Sequence, residues 1–317
     1  MRMRAIVSVI AAVGIVAAAE AGTALKVNGT EISSGQLAVA KYWVTYNTPS
    51  LEGNDAEVTR RAVNELVNNV LLADAARAAG VKLGAKDVQK GLESVKAQLG
   101  GRAVYDDLLK KLGATDAEVQ QQAERQQLGR RYVAEKIVPG VTVSEAEVRA
   151  WYDAHQQDVR HPAQIKVRVI IVNAPPGADA SAEKSARKKI DEAERRVLAG
   201  EDFGKVAREF PDDMSKANGG EMGWVGRGIL PAEAEARIWA LEPGELSAVE
   251  RGRFAFGLFE MMDKRDAGPF AYEEIRGDVE KAARETKVKD ATTAAIAKQR
   301  AAAKIEALDP AVKAALQ

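Results

Sequence analysis

The sequence predicts an α+β protein: a mostly helical N-terminal region completed by a C-terminal helix, with a smaller mixed α/β domain inserted between them. Three observations carry this. Alanine dominates the apolar residues, while the aromatics number only 6 Phe, 4 Trp and 6 Tyr; alanine is the best helix former and a poor strand former. Helical periodicity governs the chain from Ser33 to about Tyr152. At His161-Pro162 the texture changes to short strands and helices, and a long helical pattern returns after Asp266-Ala267-Gly268-Pro269.

Taken in order, Met1-Arg2-Met3-Arg4 is a short basic start, followed by Ala5 to Ala19, mostly Ala, Val and Ile. Ala19-Glu20-Ala21 then sets small residues at the two positions a signal peptidase reads, so residues 1–21 form a secretory leader cut near Ala21. The apolar run falls short of the roughly 20 residues that span a bilayer, and no later stretch of the sequence could span one. No cysteine stands at the cut, which excludes a lipid anchor of the bacterial lipoprotein kind. The expected product carries no stable membrane anchor and is extracytoplasmic, most simply periplasmic.

Asn28-Gly29 between short apolar segments predicts a hairpin, because both residues tolerate positive φ. Helices follow from Ser33, with Leu37, Lys41 and Val44 on one stretch, and from Asn54-Asp55, with the stripe Val63, Leu66, Val67, Val70, Leu71 and Gly80 as its stop. Further helices are expected over 85–99, 102–112 and 116–137, the last with a glutamine-rich solvated face. Ser144 and Glu147 form a capping-box pattern before Val148, Trp151 and Tyr152. Gln164 to Val172 reads as a strand, 182–199 and 203–210 as helices, 233–241 as a helix, and 246–249 and 254–262 as strands. The segment 266–269 is a linker, and 272 to about 303 is the returning helix. Tyr42, Trp43 and Tyr46 suit a peptide-binding surface, since aromatic side chains give large contact area, and suit a helix-helix core equally well.

Composition then excludes whole classes of function. Lys+Arg and Asp+Glu are both 46, giving zero formal charge, which argues against phosphate-backbone binding as the main role. With 0 Cys there is no disulfide, thiolate nucleophile, zinc-thiolate site or iron–sulfur cluster. The 2 histidines, His155 and His161, are too few for a histidine-rich metal site and stand in no nucleophile context. No glycine-rich run follows a strand and opens a helix as nucleotide binding requires. No cofactor is expected.

The informative segment is 201–265. Asp202-Phe203 precedes Val206-Ala207, then Phe210-Pro211-Asp212-Asp213, Asn218-Gly219-Gly220-Glu221-Met222-Gly223-Trp224, and Trp239-Ala240-Leu241-Glu242-Pro243-Gly244-Glu245-Leu246-Ser247. This progression resembles the parvulin-type (PpiC-type) peptidyl-prolyl isomerase domain over residues 163–265. The leader, the Lys26-Val27-Asn28-Gly29 hairpin, the helical flanks and the closing Ala303-Lys304-Ile305-Glu306-Ala307-Leu308-Asp309-Pro310 resemble the SurA- and PrsA-like extracytoplasmic chaperones. The resemblance implies a helical chaperone domain over 22–160, the parvulin domain over 163–265, and a C-terminal helical segment, 270–317, packing on the N-terminal domain.

Position by position, the resemblance places the family's first histidine at Val169 and its second at Gly257, so both are lost. Its remaining polar position is kept as Asp213, the implied catalytic residue. Its apolar proline pocket falls on Met222 and Leu230, with an aromatic neighbour at Trp239, while the pocket's phenylalanine falls on Ala234. Met222 and Trp239 suit an ordinary core equally well, and Asp213 a turn. The implied function is a chaperone for unfolded, exported polypeptides with a degenerate isomerase domain. An active prolyl isomerase and a dedicated envelope assembly factor are the alternatives.

Overall fold

The computed structural model describes residues 22–177, 179–210 and 216–317. The leader expected over 1–21, its cut near Ala21, and Asp213 lie outside the described residues. The first element is a hairpin of β1 (Thr23–Val27) and β2 (Thr30–Ser33). Asn28 and Gly29 turn it with φ of 49° and 80°, the left-handed pair that a two-residue hairpin loop demands. Ser33 then caps α1 (Ser34–Asn47): its hydroxyl accepts from the Gln36 N–H, and the Gln36 side chain reaches back to the Ser33 N–H.

Asn54 caps α2 (Asp55–Ala78), the helix that carries the main apolar stripe. Leu66, Val67, Val70 and Leu71 are each at most 2% exposed and pack with Leu25, Val27, Ile32 and Leu37 in one cluster. Three more helices follow: α3 (Ala85–Gln98), α4 (Arg102–Leu112) and α5 (Asp116–Tyr132), the last continuing as a π-helical turn over Val133–Ile137. Tyr42 and Trp43 pack against a second cluster of Val39, Leu92, Leu99 and Tyr105, whereas Tyr46 is 42% exposed. The core reading thus holds for Tyr42 and Trp43.

A second unit begins at Glu145 and runs to Val279. It opens with α6 (Glu145–Ala154) and the two-residue β3 (Arg160–His161), then β4 (Gln164–Asn173), α7 (Ala180–Leu198), α8 (Phe203–Glu209) and β5 (Glu221–Val225). After these come α9 (Ala232–Ala240), β6 (Glu250–Arg251), β7 (Ala255–Arg265) and β8 (Gly268–Pro269). The main sheet is antiparallel in the order β5-β4-β7-β6. Strand β4 is buried on both faces. Ile170 and Val172 pack with Ile190 and Phe203 of α7 and α8, while Ile165, Val167 and Val169 pack with Ile238 of α9 and Met261. Each fully buried aliphatic side chain of this kind contributes roughly 1.5–3 kcal/mol.

Two expectations are corrected here. The strand expected over 246–249 is absent: only an isolated bridge joins Leu246 to Glu260, and β6 lies one step later. The linker expected over 266–269 contains β8, which pairs with β3 through Arg160↔Pro269 and His161↔Gly268.

The chain leaves this unit along α10 (Tyr272–Ala302) and ends in β9 (Ile305–Ala307) and α11 (Pro310–Ala315). Residues from Glu280 onward belong with the first unit, which otherwise runs up to Ser144. There β9 pairs with β1, completing a sheet in the order β2-β1-β9, and the fully buried Val312 enters the cluster of α2. The helical N-terminal unit is therefore completed by the C-terminal segment, through a strand and a short helix, and the α+β unit is an insertion within it.

Candidate functional site

The face of the sheet beneath α9 carries most of the positions singled out in the sequence. Val169, Leu230 and Ala234 are 2%, 5% and 2% exposed and share one cluster with Phe259 and Met261. Trp239 packs at the edge of that cluster. The Arg227 guanidinium lies 3.9 Å from its ring centroid, and its indole N–H is buried without a hydrogen-bond partner among the described residues. Met222 is set apart, 37% exposed on β5 and outside the cluster.

Sequence reasoning missed Phe259. In the β4–β7 ladder Phe259 stands directly opposite Val169, and Gly257 opposite Ile171. Residues two apart on a strand share a face, so Phe259 and Gly257 point the same way. A Cβ added at Gly257 would stand 2.9 Å from Cε2 and 3.3 Å from Cζ of the Phe259 ring. One phenyl ring therefore spans the ground between the two positions where the resemblance expects histidines. The available signal was the glycine followed two residues later by an aromatic in an alternating strand.

Backbone pairing fixes that ring. Phe259 donates its N–H to Ser247 Oγ at 3.0 Å and accepts from the Ser247 N–H at 2.8 Å. Gly244, at φ 91°, donates to the Met261 carbonyl, and Met261 donates to the Glu245 carbonyl. The Gly-Glu-Leu-Ser run is thus a brace laid along β7. The Gly219-Gly220 pair has an equally local cause. Val169 N–H donates to the Gly220 carbonyl at 2.9 Å, and Gly220, at φ 84°, lies so close that a Cβ would meet the Val169 carbonyl oxygen at 2.4 Å. Gly220→Ala is expected to cost about 3 kcal/mol or more, since a strained left-handed residue alone costs of order 1–3 kcal/mol. Urea unfolding followed by tryptophan fluorescence checks this, and an unchanged midpoint would refute it.

Arg168 and Glu260, opposite each other in the ladder, lie on the other face. Arg168 reaches Asp202 and Glu260 at 3.7 Å each, with its Nε and Glu260 Oε2 buried and without hydrogen-bond partners. Burial pushes the Glu260 carboxyl above the usual range, a shift the Arg168 charge opposes and Asp202 reinforces. On the Val169 face, none of Val169, Leu230, Ala234, Gly257, Phe259 or Met261 can donate or accept a hydrogen bond through its side chain. At the border of this apolar patch Glu250 of β6, opposite Gly257, is held by Arg237 of α9. Among the described residues no group of histidine or acidic side chains is placed to hold a metal ion, and no helix is long and apolar enough to cross a membrane.

This unit is an antiparallel sheet with α7 and α8 on one face and α9 on the other, held by the Gly-Gly and Gly-Glu-Leu-Ser braces. Residues 170–263 match the family model described as the rotamase, PPIC-type PPIASE domain. Among curated proteins the chain is 35% identical over 105 residues to Chaperone SurA of Ralstonia nicotianae, covering 33% of this chain and 21% of that protein. It is 37% identical over 105 residues to Chaperone SurA of Albidiferax ferrireducens, covering 33% and 22%. The match spans about a fifth of the length of these relatives. Among solved structures, PrsA from Bacillus subtilis aligns over 93% of this chain and 97% of its own at 20% identity, with a TM-score of 0.29. A SurA-like chaperone of Campylobacter jejuni aligns over 90% and 99% at 14% identity, with a TM-score of 0.40. The similarity to the PpiC-type domain and to Chaperone SurA thus covers about a third of this chain.

Proposed function

We propose that this protein is an extracytoplasmic folding chaperone that binds unfolded, exported polypeptides, and that its PpiC-type domain has lost prolyl isomerase catalysis. The observation that carries the reading is the apolar face of a domain otherwise similar to that of Chaperone SurA: Val169 and Gly257 stand where the family resemblance expects histidines, with the Phe259 ring against Gly257. Such a face can bind side chains of an unfolded chain by burial, which is non-directional. Val169, Phe259 and Met261 offer no side-chain polar group that would bind a twisted amide better than a planar one, and that difference is what catalysis needs. Met222, Leu230 and Trp239 remain the residues proposed to touch a client, and Asp213 the one polar family position retained. The extracytoplasmic assignment rests on the basic start, the apolar run and Ala19-Glu20-Ala21.

The test is aggregation of a chemically denatured client with the mature chain and no nucleotide. Light scattering is expected to fall as the chain approaches equimolar amounts, and unchanged scattering would remove the chaperone reading. Because β3 and β8 bring Arg160 beside Pro269, residues 163–265 can be replaced by a short linker. That variant is expected to keep most of the protection; a folded variant that protects nothing would move client binding into the PpiC-type domain.

A further inference from the structure

An open groove of the helical unit lies between α3 and α5. Its volume is about 550 Å³, inside the roughly 300–1,000 Å³ typical of ligand sites. Leu83, half-buried against the cluster of Val81 and Leu128, supplies apolar floor. Lys90 of α3 and Gln127, Arg130 and Arg131 of α5 supply the polar walls. Gly91 lets the two helices approach, since a Cβ there would meet Gln127 Nε2 at 3.0 Å.

The charges in this groove are unequally committed. Asp87, the acidic group of the lining, accepts the Gly84 N–H at the start of α3 and pairs with Arg131 at 3.5 Å; Arg131 also pairs with Glu135 at 2.7 Å. Those charges compensate one another. Lys90 and Arg130 have no ion-pair partner within 4.0 Å among the described residues. Burial pushes the Glu65 carboxyl of α2 above its usual range, while the Arg130 charge pulls it back. The groove therefore offers two unpaired cations, an amide able to donate and accept, and an apolar floor.

We propose that the groove between α3 and α5 binds an extended, acidic segment of polypeptide, its carboxylates set against Lys90 and Arg130 and its apolar side chains on Leu83. This deepens the chaperone reading and rests on it for the source of the peptide, an unfolded client. Two cations spaced along a groove select carboxylates without fixing a sequence, and electrostatic complementarity of this kind governs partner choice more than raw affinity.

The test uses the full mature chain and two labelled peptides of equal length, one alternating Glu and Leu, the other Gln and Leu, read by fluorescence anisotropy. The Glu peptide is expected to bind about tenfold more tightly or better, with that advantage fading as ionic strength rises from about 0.01 to 1 M, where the Debye length shrinks to about 3 Å. Lys90→Glu with Arg130→Glu should abolish the preference, while Lys188→Glu with Lys189→Glu on α7 should not. Lys90→Gln with Arg130→Gln, which adds no repulsion, should remove most of it. Equal binding of the two peptides, or an undiminished preference in either groove variant with its circular dichroism intact, overturns the proposal. If client aggregation is still suppressed when the preference is absent, the chaperone reading stands and the groove alone is discarded.

Discussion

Removing residues 303–317 should leave the helical unit unfolded at room temperature, although α2, with most of its core, remains. The removed segment supplies β9, which pairs Leu25↔Ala307, Lys26↔Glu306 and Val27↔Ile305 with β1. Further hydrogen bonds tie it down. Asn28 N–H donates to the Lys304 carbonyl at 2.9 Å, Lys304 N–H to Asn28 Oδ1 at 3.0 Å, and Leu308 and Asp309 N–H both to the Ala24 carbonyl at 3.0 Å. Asp309 caps α11 and aims the fully buried Val312 into the cluster of Leu66 and Val70, beside Ile305, Ala307, Ala315 and Leu316. Losing these side chains exposes their partners as well as themselves. At roughly 1.5–3 kcal/mol for a buried aliphatic side chain, the loss approaches the whole stability of a domain, about 5–15 kcal/mol. Val312→Ala alone is expected to cost about 2 kcal/mol, lowering the melting temperature by about 4–8 °C for a unit of this size. Calorimetry of the mature chain and the truncation checks both. If the truncation melts with the same profile as the full chain, the tail does not complete this core.

Local chemistry made most of the helices and the first hairpin legible. Asn28-Gly29 turns because both residues accept positive φ, and Ser33 with Gln36 closes a capping box, whatever the rest of the chain does. The β9 strand was not legible. Lys304-Ile305-Glu306-Ala307 alternates polar and apolar over four residues only, too short a run to mark a strand, and its partner β1 stands at the opposite end of the sequence. The absent strand at 246–249 has another cause. Gly244 and Ser247 bond to β7 one group at a time, an irregular brace that mimics strand composition without strand pairing. The unit limit at Ser144/Glu145 falls at the start of α6, a few residues after Pro139-Gly140, whereas that at Val279/Glu280 falls within the continuous helix α10. At the candidate site, the substitutions at Val169 and Gly257 were readable by resemblance. That a ring from Phe259 lies between them was not, because it depends on ladder register and on which way a side chain leans along the strand.

Prolyl isomerisation by this protein should proceed at close to the spontaneous rate. The reaction crosses a barrier of about 18–20 kcal/mol set by amide resonance, and each tenfold acceleration requires about 1.4 kcal/mol of preferential transition-state binding. Val169 and Phe259 offer no hydrogen bond to a twisted amide, and Gly257 has no side chain. The Trp239 indole N–H at the edge of this face is buried, and Glu250, opposite Gly257, is held by Arg237. Ala234 also leaves a prolyl ring less enclosed than an aromatic would. A proline-containing tetrapeptide is therefore expected to isomerise little faster with the protein than without it, and Asp213→Ala to leave client holding nearly unchanged. Restoring Val169→His and Gly257→His together should not create an isomerase, because the new Cβ at 257 meets the Phe259 ring at 2.9 Å. Phe259 is only 5% exposed, so its ring can yield only by repacking, at a cost of about 1–3 kcal/mol. The double variant is expected to be less stable and still inactive. Robust catalysis by the natural chain that Asp213→Ala abolishes would overturn the loss of activity. Rapid isomerisation by the double variant would show that the ring is no obstacle.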